Sequence, residues 1–362
     1  MPSRRPPAAK ERFVIREALA RDLDGVYALS AHLDSVNIPH DRRVLRARLQ
    51  RARDSFSGKI EDPTRRQYLF VMEGARSEAV VGTSMIYAQH GHPEAPHVFF
   101  DVVQDERYSS TLERHFSHTT LRLGFSYRGP TEIGALVLDP DHRAYGLGKV
   151  LSLVRFLFIA MYRDRFQDTV VAELMPPLLP DGRSELWEYI GQRFTGLTYQ
   201  EADKLSHTNK EFIYALFPQS PLYASLLPTH VAELIGQVGE ETKGAQRILE
   251  SIGFRYSGHI DPFDGGPHFA CPTDRIRLVR EAVRRPVDEQ ALDGPIEAAL
   301  FDGIKPEGVG RYLVGVGRPE GASRFRATVA AARVTDRSVQ LTEETQGLLQ
   351  VKAATEICAT PI

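Results

Sequence analysis

Tryptophan occurs once and cysteine twice in this chain, and no apolar run reaches the length of a membrane span. Each scarcity removes a class of protein. Cys271 and Cys358 form neither a metal motif nor a dithiol pair, which excludes a zinc ribbon, a disulfide scaffold and a thioredoxin-like centre, and suits a reducing cytoplasm. Without an apolar run there is no helical membrane anchor, and the leader MPSRRPPAAKER lacks the apolar stretch of a signal peptide. Its prolines oppose the amphipathic helix of an organelle address, so residues 1–12 are read as a disordered tail and the protein as cytoplasmic. An excess of charge is missing too: 45 Lys and Arg against 47 Asp and Glu leave −2. Such a balance gives no general attraction to nucleic acid or an anionic membrane, and neither is expected as a partner.

What remains is a chain of 362 residues, 42% hydrophobic, long enough for two domains or for two related halves with an appendage. Its most informative stretch is Glu132–Arg163. Ile133, Leu136, Val137 and Leu138 read as a buried strand, Asp139-Pro140-Asp141 stops it, and Leu147 to Met161 is apolar on nearly every face, as a buried helix is. Between them stands Arg143-Ala144-Tyr145-Gly146-Leu147-Gly148-Lys149. Two glycines at a strand-to-helix turn let backbone N–H groups converge on one point, where the positive end of the helix also favours an anion. A dinucleotide loop would need a third glycine at Leu151, and a nucleotide-triphosphate loop would need Ser or Thr at Val150. An ordinary glycine turn into a core helix is the plain alternative.

Along the chain, Phe13–Glu17 reads as a sheet edge, Ala20–Leu33 as a helix, and His40–Arg53 as a helix with a solvated arginine face. Tyr68–Met72 and Ala79–Tyr87 form a hairpin. His97–Tyr127 gives two strand-like runs with a polar excursion between them that holds His115 and His118. Thr169–Leu174 should pair in parallel with Glu132–Leu138, since a helix joins them. A helix–glycine–aromatic unit occurs twice, at Trp187–Gly191–Phe194 and at Leu249–Gly253–Phe254, and suggests two related halves. After Pro286 come short strands, a small β-rich appendage.

The Arg143-x-x-Gly146-x-Gly148 loop resembles the acyl-coenzyme A pyrophosphate loop of the Gcn5-related acyltransferases. With Gly236-Gln237-Val238, Gly253-Phe254-Arg255-Tyr256 and Ile260-Asp261-Pro262-Phe263-Asp264-Gly265-Gly266-Pro267 following in order, the chain resembles the arginine N-succinyltransferase family from about Phe13 onward. The resemblance implies a mixed α/β, duplicated acyl-CoA N-acyltransferase fold: a first half at 13–198 carrying the cradle, a second at 199–286, and the appendage at 287–362. It implies transfer of succinyl from succinyl-CoA to the α-amine of arginine or a related amino acid, with no metal, in a homodimer or a heterodimer with a paralogue. A coenzyme-binding but catalytically weak subunit is the alternative. Leu136, Leu138, Arg143, Ala144, Tyr145, Gly146, Leu147, Gly148 and Lys149 would bind the coenzyme, with Leu136 offering its backbone N–H to the thioester carbonyl.

The family's catalytic histidine follows Gly-Gln-Val, where this chain has Gly239; Met175 replaces a family arginine, and Asn37-Ile38-Pro39 a Ser-Leu-Pro. Loss of an acid–base group commonly costs about 10²–10⁴-fold in rate. Glu173, at the C-terminal end of a strand beside the cradle, is the candidate base, and Tyr189 the candidate acid for the leaving thiolate. Glu240, Glu241, His207 and His230 are lesser substitutes, and Gly239→His is expected to restore the missing group.

Overall fold

The apolar segment that follows the glycine loop forms the helix α3 (Leu147–Met161), after α1 (Leu23–Ser30) and α2 (Arg42–Phe56). The computed structural model describes residues 11–32, 38–93, 95–206, 209–293, 296, 306–318 and 323–362, with side chains omitted at Ala144 and Tyr145. Leu151, Leu153, Val154, Phe156, Leu157 and Ile159 of α3 are fully buried, each stabilising the fold by roughly 1.5–3 kcal/mol. Arg155 is buried among them because its guanidinium turns back to Ser152, donating to the carbonyl at 2.9 Å and to Oγ at 2.7 Å. Asp41 starts α2 by accepting from the amides of Arg43 (2.7 Å) and Val44 (3.2 Å). Leu45, Leu49, Ala52 and Phe56 then line its buried face and leave the arginines of its other face to water.

These helices cover one mixed sheet. Its strands are β1 (Phe13–Glu17), β2 (Gln67–Gly74), β3 (Val80–Tyr87), β4 (His97–Ser109), β5 (Arg114–Ser126), β6 (Thr131–Leu138), β7 (Thr169–Glu173), β8 (Leu222–Tyr223), β9 (Arg255–Ile260), β10 (Pro267–Pro272), β11 (Val283–Pro286), β12 (Gly310–Gly317), β13 (Phe325–Val334), β14 (Val339–Leu341) and β15 (Glu356–Pro361). The spatial order is β11-β15-β12-β13-β1-β2-β3-β6-β7-β10-β9-β4-β5-β8, with β14 beside β13. As expected, β2 and β3 form a hairpin and β6 and β7 are parallel. Alternation splits the core: Tyr68, Phe70 and Met72 of β2 face α3, while Leu69 and Val71 face α1 and α2.

Three expectations change. β1 is internal rather than an edge, because β13 returns to pair with it, Ile15 opposite Ala327. The polar excursion between the strand-like runs is the outer part of a continuous hairpin; β4 and β5 are 13 residues each and pair from His97–Ser126 to Ser109–Arg114. Its tip stands clear of the core, so both faces are solvated and polar residues serve on each. The two helix–glycine units are also built differently. Gly253 has φ +115° and closes α4 (Lys243–Glu250), letting the Phe254 amide reach the Leu249 carbonyl at 3.1 Å and its ring pack on Phe156. Gly191 instead opens a new short helix, and a Cβ there would run into the Trp187 ring. The segments 13–198 and 199–286 share one sheet, since β10 of the second pairs with β7 of the first and β9 with β4. Segment 287–362 extends that sheet and carries its own small apolar cluster, including Val314, Ala330, Leu341 and Ile357.

Candidate active site

Strand β6 is hydrogen-bonded to β7 only at its beginning, where Thr131 faces Val170 and Glu132 faces Val171. On its other side its register against β3 slips between Gly134–Met85 and Val137–Thr83, three residues of β6 spanning two of β3. That extra residue is a β-bulge. Ala135 takes the strain, at φ +49°, a conformation costing an L-residue about 1–2 kcal/mol. Thr83 holds it there by donating from Oγ1 to the Ala135 carbonyl at 3.1 Å. Beyond the bulge β6 leans on β3 alone, so β6 and β7 part toward their C-terminal ends. Ala135 and Leu136 have no register partner on either neighbour.

The glycine loop sits at the mouth of this split. Asp139 caps the turn by accepting from the Asp141 amide at 2.9 Å, and Gly146, at φ +69°, turns the chain into α3. A Cβ on Gly146 would meet nothing within 4 Å, and one on Gly148 would meet only Leu138 Cδ2, at 3.8 Å. Open space therefore lies over the first amides of α3, which have no earlier turn to bond to. Arg143 and Lys149 are exposed beside it, Leu147 is half-buried and packs on the α3 cluster with Leu136, and Leu138 is buried beneath. Shape, amides and two cations fit a pyrophosphate. The backbone carries Ala144 and Tyr145 round the same turn.

Glu173 ends β7 at the level of the bulge. Its Oε1 lies 3.3 Å from His97 Nε2, 3.6 Å from His268 Nε2 and 4.0 Å from His90 Nδ1, and His90 Nδ1 is 2.8 Å from Glu132 Oε2. Burial works against charge on Glu173, yet the surrounding imidazoles of His268, His97 and His90 hold its carboxyl well below the usual range. Burial keeps His97 and His268 neutral, the latter pulled down to about 4. Nearby, burial and the charge of Glu173 push Asp261 up to about 7, and burial with the charge of Asp261 raises Asp264. Thr169 and Val171 point to the same face as Glu173, opposite α3, and line a cavity of about 510 Å³ with His97, His268, Gln167 and Ser257.

Of the residues singled out from sequence, the cradle and Glu173 converge on one split. Tyr189 does not join them; it packs with the cluster over β4 and β9, its ring edge-on to His230 at 6.1 Å. His207 lies outside the described residues, as does Asn37. Gly239 adjoins the end of β7, its amide donating to the Met175 carbonyl at 2.9 Å. A Cβ there would stand 2.8 Å from the Pro176 carbonyl oxygen and 3.0 Å from that of Met175, so a histidine cannot be added without moving backbone. That close backbone argues against Gly239→His restoring a base. His90, His97 and His268 were missed from sequence because three separate segments supply them, with no spacing that joins them before folding.

A parallel pair split at a bulge, with a glycine-led helix at its mouth, defines an acyl-CoA-dependent N-acyltransferase. Residues 13–278 match the family model described as arginine N-succinyltransferase beta subunit. The chain is 35% identical over 346 residues to an arginine N-succinyltransferase of Yersinia pestis (strain Pestoides F), covering 95% of this chain and 96% of that one. It is 39% identical over 273 residues to that of Photorhabdus laumondii, covering 75% and 79%. The solved structure of arginine/ornithine succinyltransferase subunit AI from Pseudomonas aeruginosa superposes with a TM-score of 0.80 at 28% identity, over 97% of this chain and 99% of that one. The chain belongs to the arginine N-succinyltransferase family.

Proposed function

We propose that the protein transfers a succinyl group from succinyl-CoA to the α-amine of arginine or a closely related amino acid. The observation that carries this reading is the bulge at Ala135, which parts β6 from β7 directly above the glycine-led start of α3. The amides of Gly146–Lys149, with Arg143 and Lys149, would take the pyrophosphate. The split strands would take the extended thiol arm, and the Leu136 N–H would polarise the thioester carbonyl as the amine attacks. Relatives named for arginine and for ornithine support an amino-acid acceptor, which would enter by the cavity beside Val171.

Glu173 stands at the reacting end, but a carboxylate held so firmly ionised is a weak base. It would attract and orient a cationic amine; once the amine has lost a proton to water in the cavity, its bond to the acyl carbon forms as the C–S bond breaks, and the leaving thiolate takes a proton back from that water. Tyr189 is left out of the reaction. Relatives described as subunits support a homodimer or a pair with a paralogue, and the cytoplasm suits a coenzyme thioester.

The test is thiol release from succinyl-CoA by the purified chain with arginine or ornithine, alongside calorimetry of coenzyme binding. Release that depends on the amine is expected. Coenzyme binding without release in the presence of either amine would reject the reaction and favour a coenzyme-binding subunit.

A further inference from the structure

The carboxylate of Glu173 is ringed by imidazole nitrogens, and among the described residues the basic side chains within ion-pairing distance of Glu173 and Glu132 are histidines alone. The donor atoms of His90, His97 and Glu173 all lie within 4.8 Å of one another, as do those of Glu173, Asp261 and His268. Two further observations separate this cluster from ordinary ion pairing.

The first is the state of the ring nitrogens. His90 Nδ1, His97 Nε2 and both nitrogens of His268 make no hydrogen bond of proper geometry, although His97 is only 4% and His268 0% exposed. Leaving such buried atoms without a partner costs roughly 1–3 kcal/mol each, and a fold seldom keeps several in one place unless something else bonds them. The second is charge. Asp261 sets a carboxylate oxygen within 4.8 Å of the donor atoms of Glu173 and His268, and Glu132 stands 2.8 Å from His90 Nδ1, so three carboxylates gather here. A positive ion at the centre answers both features.

The distances suit one. A tetrahedral ion with bonds of about 2.0–2.2 Å sets its donor atoms roughly 3.3–3.6 Å apart; Glu173 Oε1 stands 3.3 Å from His97 Nε2, and His90 Nδ1, at 4.0 Å, needs to close by a few tenths. Imidazole nitrogen with one carboxylate oxygen is the donor set of zinc-type ions, whereas magnesium and calcium take oxygen. We propose that His90, His97 and Glu173 bind one divalent transition-metal ion of the zinc type, with His268 flanking the same carboxylate. The ion ties the segment before β4, β4 itself and the end of β7 together on the face opposite α3, next to the open end of the split. The coenzyme cradle plays no part in this site, but an ion bound here would take the Glu173 carboxylate that the transferase reading turns toward the amine.

The experiment uses the full chain, stripped with a chelator and dialysed. Zn²⁺ is titrated by calorimetry and Co²⁺ by its visible absorption, which reports low-symmetry nitrogen and oxygen coordination. One saturable equivalent per chain is expected, with a rise in Tm on adding metal. His97→Ala should weaken binding at least about tenfold, while His115→Ala, a change to an exposed histidine facing Glu106 on the hairpin arm, should leave it unchanged. If circular dichroism finds His97→Ala unfolded, His90→Asn replaces it with the same expectation. No saturable binding at micromolar protein, or equal affinity in the folded His90 or His97 variant, overturns the site. Coenzyme affinity measured on the same samples keeps the two proposals apart, since its absence with metal binding intact strikes only at the transferase reading.

Discussion

Gly146→Asp is the sharpest test of the coenzyme cradle, because the structure separates its effect on folding from its effect on the ligand. At φ +69° with nothing within 4 Å of a new Cβ, position 146 accepts the side chain without a clash. Aspartate tolerates the left-handed region better than most residues, so the folded state loses only about 1 kcal/mol. The ligand loses more. A carboxylate about 6 Å from a phosphate oxygen repels each unit of charge by roughly 0.7–3 kcal/mol for effective dielectric constants between about 80 and 20, and it also opposes the helix end that attracts the anion. Coenzyme A affinity should therefore fall at least about tenfold, each 1.4 kcal/mol being about a factor of ten. Gly58→Asp is the matched control: its φ is +76°, its Cβ would also meet nothing, and it follows α2 near Phe56, which touches Phe158 at the far end of α3. Twelve helical residues put that point about 18 Å from Gly146. Calorimetry of coenzyme A with both variants and the parent, at matched salt, decides the matter. Unchanged affinity in a folded Gly146→Asp protein, or an equal loss in Gly58→Asp, would refute the cradle.

Gly239→His should lower Tm by a few degrees without raising turnover, since its Cβ presses on the Pro176 carbonyl and overpacking of this kind costs about 1–3 kcal/mol; a gain in succinylation would mean that the 175–176 segment yields freely. Arg16 is 1% exposed and grips Asp22 with both amino groups, at 2.7 and 2.8 Å, and Glu73 at 2.5 Å. Arg16→Met strands two buried carboxylates and should cost about 3–5 kcal/mol in urea denaturation, so an unchanged midpoint would argue against that network. Burial pushes Cys358 up to about 12 and raises Cys271 as well. Both shifts disfavour the reactive thiolate and both thiols are buried, so neither cysteine should react with a disulfide reagent at pH 8 until the chain unfolds, when both should; reaction in the native protein would contradict their burial.

Local pattern was enough for the parts of the site that are continuous in sequence. An apolar strand, a stop at Asp139-Pro140, two glycines and a helix buried on nearly every side fix the strand–turn–helix and the parallel pairing of β6 with β7, because each step follows from neighbours within a turn or two. The bulge was not legible. Ala135 carries no signal for a left-handed backbone, and the strain is maintained by Thr83 from another strand. The imidazole cluster was hidden for the same reason, His90 and His97 lying on either side of a turn and His268 far along the chain. β1 reads as an edge because its covering strand arrives some 300 residues later, and no local pattern announces a partner that distant. Glu173 was found by its position at a strand end, while its basicity depended on neighbours that sequence did not reveal.

The order of strands has a consequence for how this chain meets others of its kind. Among the described residues both ends of the strand order are blunt: β8 is two residues long, and β11 is Val-Arg-Arg-Pro, four residues that bring two cations and a proline to the margin, while the side strand β14 has only three. Neither rim gives an approaching strand enough backbone to zip along, which protects a large β-rich protein from fibre-like growth. Copies that associate must therefore do so through sheet faces or through the projecting hairpin arm, where Tyr108, Leu112 and Phe116 are exposed, and a closed pair becomes easier to form than an endless row.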